Sequence, residues 1–223
     1  LKDPATASPV IFPETVFNAP SSHLASLLGT AAINYTLVGD PGTLLQGLAL
    51  AADWLLNEQV DGCLVVGAEE MDWIVADAVR LFARRVVQAA GAGALYLRAD
   101  APGAPAVELA SVTDAFSFNS AKSRAGAARA MRAQLTASNS GEVLCLGTRG
   151  LPREDAHELE AWQDWPDHRL TPRRILGEAF TASAAWQCVA ACDTLQQGEF
   201  QAANVSVVGA NQQAIGARFV AVS

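Results

Sequence analysis

The chain has 223 residues, of which 51% are hydrophobic and 17% charged, and a formal charge of −8. That is enough apolar material for one α/β domain or two intimately packed halves. The acidic balance argues against a nucleic-acid surface or an anionic membrane, and no apolar run is long enough to span a bilayer.

Taken in chain order, Lys2–Pro20 is Pro-rich and extended, and its opening LKDPATASP lacks a charged-then-apolar leader pattern. Ser21 or Ser22 caps a short helix, His23–Leu28, which Gly29 ends. Tyr35, Leu37 and Val38 suit a strand. Asp40 then fits an N-cap, Pro41 the first helical position, and Gly42 lets the backbone come close. Leu44, Leu45, Leu48, Ala49, Ala52, Leu55 and Leu56 recur at three- and four-residue steps, which predicts a central buried helix. Gly62–Gly67 is a continuous apolar run, as in a strand covered on both faces. A helix is expected over Asp72–Val87 and a buried strand over Gly91–Leu97.

Pro102–Pro105 is a turn and the expected boundary between a first part, 1–101, and a second, 102–223, within one compact unit. A strand is expected over Val107–Ala115. An Ala-rich helix, Ala121–Ala137, carries Lys122, Arg124, Arg129 and Arg132 on its surface. Then come a strand at Glu142–Leu146, a helix at Asp155–Trp162, a long helix at Ala179–Gln197, and a closing hairpin of Val205–Ala210 with Ala217–Val222.

The chain has four cysteines, Cys63, Cys145, Cys188 and Cys192, all in apolar strand or helix patterns. They read as buried free thiols of a reducing, cytoplasmic compartment. Neither CxxC nor Cys/His spacing for zinc is present, and no metal or cofactor is expected. There is no Walker loop and no GxGxxG after a strand. His23 reads as a polar cap or packing residue, His157 as part of a solvated acidic helix face, and His168 as a loop residue. Glu69 and Glu70 end a strand, where α/β ligands often bind, but a solvated strand end is the favoured reading of them. The basic helix reads as a solvated face or as a dock for an acidic partner.

The run Leu45–Ala52, LQGLALAA, followed by Gly62–Glu70, GCLVVGAEE, resembles the nucleophile helix and next strand of the β-ketoacyl synthases, members of the thiolase superfamily. Three more stretches follow in the family's order. Leu146-Gly147-Thr148 resembles its His-Gly-Thr motif, Gly177-Glu178 its Gly-His pair, and Val208-Gly209-Ala210-Asn211 its closing glycine-rich turn. GAGALYL at Gly91–Leu97 is similar to its GAGA strand. The resemblance implies an α/β, thiolase-like layered α/β/α/β/α fold, without the family's opening strand and glycine turn before Leu1. The excursion after Asp72 is either shortened or lacks residues near Val87. The first part would be the remainder of an N-terminal thiolase-like half, and the second the C-terminal half.

The same resemblance puts the family's catalytic Cys, His and His at Pro41, Leu146 and Glu178. No catalytic residue is therefore expected. Asp40, Gly42, Thr43, Thr148, Glu178 and Asn211 are the candidates to line an acyl pocket. By the resemblance a structural cap would replace the thiolate, and a carboxylate a donor to a developing enolate, while an ordinary N-cap fits Asp40 and Pro41 equally. The implied function is a non-condensing, chain-length-factor-like or acyl-binding subunit of fatty-acid or polyketide biosynthesis. It would form a homodimer, or a heterodimer with an active ketosynthase, through Asn34–Val38. An acyl carrier protein is a further implied partner. The alternative is an acyltransferase or decarboxylase of altered chemistry that uses Glu178 or Asp40. An unrelated α/β binding protein is the third reading.

Overall fold

A computed structural model describes residues 16–100, 106–135, 141–210 and 212–222, apart from the side chains of Ala121 and Lys122. By its contacts the chain divides into Leu1–Val38 and Gly39–Ser223. The expected boundary at Pro102–Pro105 lies almost wholly outside the described residues.

In the first unit, α1 (Ala19–Leu27) starts earlier than the serine caps suggested, because Pro20 suits the first turn. An extended segment follows. It is tied to the helix by the Ser21 and Thr36 hydroxyls at 2.8 Å and by Asn34 Nδ2 donating to Ser22 Oγ at 3.3 Å. The expected strand over Tyr35–Val38 is not formed, for no described strand lies beside it to share a ladder. Tyr35 and Val38 are exposed.

The second unit begins with α2 (Thr43–Leu56), whose N-cap is Gly42. The helix starts two residues later than expected. Asp40 does not cap it in the ordinary way; its carboxylate bends back onto the Gly42 N–H, leaving Pro41–Gly42 as a turn. Next come β1 (Cys63–Glu69), α3 (Trp73–Phe82) and β2 (Gly91–Leu97). Asp72 caps α3 by accepting from Val75 N at 2.7 Å. β1 and β2 form an antiparallel pair in which Gly67 faces Gly93.

The larger sheet follows from β3 (Ala106–Val112), β4 (Phe116–Ser117), β5 (Glu142–Leu146), β6 (His168–Leu170), β7 (Ala202–Val208) and β8 (Gln213–Val222). Its order is β3-β8-β7-β5-β6, with β4 also on β8. β5 runs parallel to β6 and β7, while β8 is antiparallel to β7 and β3. The remaining helices are α4 (Ala121–Gln134), α5 (Pro152–Ala161), α6 (Pro172–Leu176) and α7 (Phe180–Gln196).

α7 packs on β1 and β2 on one side and on β5, β7 and β8 on the other, with α2 beside it. α4 and α5 cover the far face of the large sheet. The described residues of this unit thus stack as sheet, helices, sheet, helices. A helix between two sheets must be small and apolar around most of its circumference. Ala182, Ala184, Ala185, Cys188 and Ala191 are accordingly fully buried.

The Gly67–Gly93 pair makes this sandwich possible. A Cβ on Gly67 would lie 2.7 Å from Thr181 O and 3.0 Å from Ala185 Cβ; one on Gly93 would lie 2.8 Å from Ala185 Cβ. Two cores result. Leu45, Leu48, Val143, Cys145, Val205 and Ile215 fill the one around α2 and α7, and Met131, Leu144, Leu146, Trp162 and Trp165 the one under α4 and α5.

Candidate functional site

Two loops and the starts of two helices carry the positions of interest. At the start of α2, Asp40 is buried and its carboxylate is fully engaged. Oδ1 accepts from Gly42 N at 3.0 Å and from Gln213 Nε2 at 3.1 Å, and Oδ2 from Gln213 N at 3.3 Å. Asp40 N in turn donates to Gln212 Oε1 at 3.2 Å. Gly209 leaves room for this carboxylate: a Cβ there would sit 1.8 Å from Oδ2. The turn that opens α2 is therefore clamped to the loop between β7 and β8. Pro41, Gly42 and Thr43 are buried in the clamp. Asn211 falls within that loop but lies outside the described residues.

The second group surrounds Glu178, which is 3% exposed. Oε2 is ion-paired with Arg173 and receives Arg149 Nη1 at 3.4 Å. Oε1 accepts from Phe180 N at 2.9 Å and from Ser183 Oγ at 3.4 Å. Arg173 also donates to Gly147 O at 3.0 Å, so it bridges the loop after β5 to Glu178, two residues before α7. Gly147 N donates to Glu158 Oε1 at 3.0 Å, and Ser206 Oγ donates to the same oxygen at 2.6 Å. Asp155 accepts from Arg149 N at 3.0 Å and from Leu151 N at 2.8 Å. Thr148, 3% exposed, is held inside this frame.

Burial sets the titration of these groups. It pushes Glu158 above the ordinary carboxylate range, against the hydrogen bonds from Ser206 and Gly147. It also lowers Arg173 to about 10, with the neighbouring Arg149 acting in the same direction.

The two groups approach each other through Gly67. Leu44, one residue into α2, and Thr181, in the first turn of α7, both lie within 3.0 Å of where its Cβ would be. Leu146 does not face this place. Alternation along β5 sends Leu146 with Leu144 into the α4–α5 core, while Val143 and Cys145 face α7. The Leu146 side chain thus points away from Glu178, while its backbone neighbour Gly147 accepts from Glu178's partner Arg173.

Burial holds Cys145 and Cys192 up to about 12, raises Cys188 well above the ordinary thiol value, and raises Cys63 as well. No three His, Cys, Asp or Glu side chains among the described residues gather as a metal site, and no described helix is long and apolar enough to cross a membrane.

The basic face of α4 is partly paired by α5 and the residues that follow it. Arg129 pairs with Glu160 at 3.1 Å, Arg132 pairs with Asp164 and lies 5.1 Å from the Trp162 ring, and Arg124 lies over Phe118 at 5.7 Å. A cleft of about 330 Å³ between Ser120, Arg124, Arg153 and His157 keeps some positive character. His157 is thus half-buried at that cleft and not simply solvated, while His168 is an exposed strand residue.

No protein-family model and no curated protein sequence matches this chain. Solved structures do. The ishigamide ketosynthase/chain length factor superposes with a TM-score of 0.76 at 18% identity, over all of this chain and 66% of its own. The AntDE:AntF structure, a type II PKS acyl-carrier protein in complex with its ketosynthase bound to the hexaketide, gives 0.76 at 13% identity, over 97% and 66%. The ketosynthase ApeO in complex with its chain length factor ApeC from Xenorhabdus doucetiae gives 0.74 at 13%, over 95% and 66%.

The fold is ketosynthase-like. The layered, thiolase-like α/β expectation therefore holds, and the chain spans just under two thirds of the length of these three ketosynthase-fold chains. The sequence missed Arg149, Arg173, Glu158 and Gln213 as members of the site. Arginine is ordinarily a surface residue, so nothing in the Thr171-Pro172-Arg173-Arg174 run announced that the first of the two is buried.

Proposed function

We propose that this protein is a non-condensing, chain-length-factor-like subunit of a fatty-acid or polyketide synthase. It shapes an acyl site without carrying the nucleophile, in a homodimer or in a heterodimer with an active ketosynthase, and meets an acyl carrier protein in the cytoplasm. The observation that carries the reading is at the turn that opens α2, which holds the buried Asp40 carboxylate and Pro41 and no thiol. That carboxylate already takes the Gly42 N–H that an oxyanion would need. The extended segment Asn34–Val38, with exposed Tyr35 and Val38, is the stretch proposed to pair across a dimer.

Chemistry by Glu178 or Asp40 is the less favoured alternative, since the oxygens of both already accept internal donors. The test is co-expression with a cysteine-bearing ketosynthase from the same organism, followed by size-exclusion chromatography with light scattering. A stable complex of the two, or a homodimer, supports the proposal. A monomer that ignores the ketosynthase overturns it.

A further inference from the structure

We propose that Glu178 is a captive ligand. Its carboxylate fills an anion site built by Arg149, Arg173 and the first turn of α7, and so closes that site to carboxylates from solution. The location is that of the functional reading above; the test below involves neither a partner nor condensation, so either idea can fail alone.

The site has the parts of a carboxylate receptor. Two guanidinium groups converge on Oε2, and a backbone N–H with a hydroxyl converges on Oε1. Each donor is anchored independently of Glu178. Arg173 is held by Gly147 O at 3.0 Å, Arg149 is paired with Glu154, and Ser183 Oγ accepts from Ala179 N at 2.6 Å.

The backbone of Glu178 is fixed without help from its side chain. Glu178 N donates to Val87 O at 2.8 Å, and Ala89 N donates to Glu178 O at 2.9 Å. One flanking conformation is open to glycine and the other is a costly one. Gly177 has φ +94°, and Phe180 has φ +43°, rare for an aromatic residue and maintained only where the surroundings impose it. Arg173, 4% exposed, keeps an Nε–H with no partner among the described residues, so the receptor holds more donor capacity than Glu178 uses.

Truncating Glu178 to Ala removes a group of acetate's size and chemistry from a frame that should persist. The experiment compares wild type, Glu178→Ala and Glu178→Ala/Arg173→Met by thermal unfolding, in sodium acetate and in sodium chloride at equal ionic strength. Glu178→Ala is expected to lose roughly 10 °C in Tm, as a buried charge loses its partner. For a dissociation constant of about 50 mM, 0.5 M acetate should restore about 3–5 °C that chloride does not. Wild type and the double variant should show no acetate-specific gain.

If Glu178→Ala does not fold in chloride, the readout becomes refolding in acetate, with Glu178→Gln as the shape-preserving control. Acetate-specific recovery supports the proposal in either format. Its absence overturns it, as does an equal acetate effect on wild type.

Discussion

Replacing Asp40 by Ala tests the clamp at the turn that opens α2. The side chain is 8% exposed and accepts from Gly42 N, Gln213 N and Gln213 Nε2 at 3.0, 3.3 and 3.1 Å. Truncation leaves two backbone N–H groups and one amide without their acceptor. An unsatisfied buried donor costs about 1–3 kcal/mol. Gln213 Nε2 keeps a contact with Gln46 Oε1 at 3.4 Å, and water can reach part of the vacated space, so the sum is less than three full penalties. A net loss of about 2–4 kcal/mol corresponds to a fall of roughly 5–15 °C for a chain of this size. Asp40→Asn keeps one acceptor oxygen and should lose about a third as much. Asp53, exposed on α2, is the control, and Asp53→Ala should change stability by less than about 0.5 kcal/mol. Scanning calorimetry and urea unfolding provide the comparison. If Asp40→Ala behaves like Asp53→Ala in both, the clamp contributes nothing and the reasoning fails.

Other expectations follow from the same geometry. Gly67→Ala puts a methyl 2.7 Å from Thr181 O and should cost about 1–3 kcal/mol in urea unfolding; an unchanged midpoint would mean that α7 does not approach the sheet so closely. Cys145, Cys188 and Cys192 should resist iodoacetamide at pH 8 in the native protein and react in urea, as read by mass spectrometry; rapid labelling of any of them in the native protein would contradict their raised pKa values. Glu158 is raised by burial, so between its unfolded and folded pKa the native state holds a proton that the unfolded chain has released. Stability from this group is present below that window and falls as pH rises through it. The difference in stability between wild type and Glu158→Gln, followed by urea unfolding across pH, should show this slope; a flat difference would refute it.

Elements with strong local patterning were legible. β5 occupies Glu142–Leu146 as expected, because five consecutive residues are buried between two layers. α2 and α7 followed from their apolar spacing. What the sequence hid depends on contacts far along the chain. Asp40 looked like a helix cap, but its partners Gln212 and Gln213 lie more than 170 residues away. Glu178 looked like a lost histidine; that two arginines neutralise it could not be read from residue types that usually face water. β6 is three residues long and depends on its parallel neighbour β5, so His168 looked like part of a loop. The face chosen by Leu146 was fixed only once the register of β5 was known.

The central claim, that the ketosynthase-like fold here retains its architecture without a reactive centre, is tested most directly by incubating the purified chain with acetyl- and malonyl-loaded acyl carrier protein. Intact-mass spectrometry and a carbon dioxide assay would follow. The account predicts an unmodified chain and no decarboxylation above the carrier protein alone. A covalent acyl adduct on the chain, or carbon dioxide released in proportion to its concentration, would contradict it.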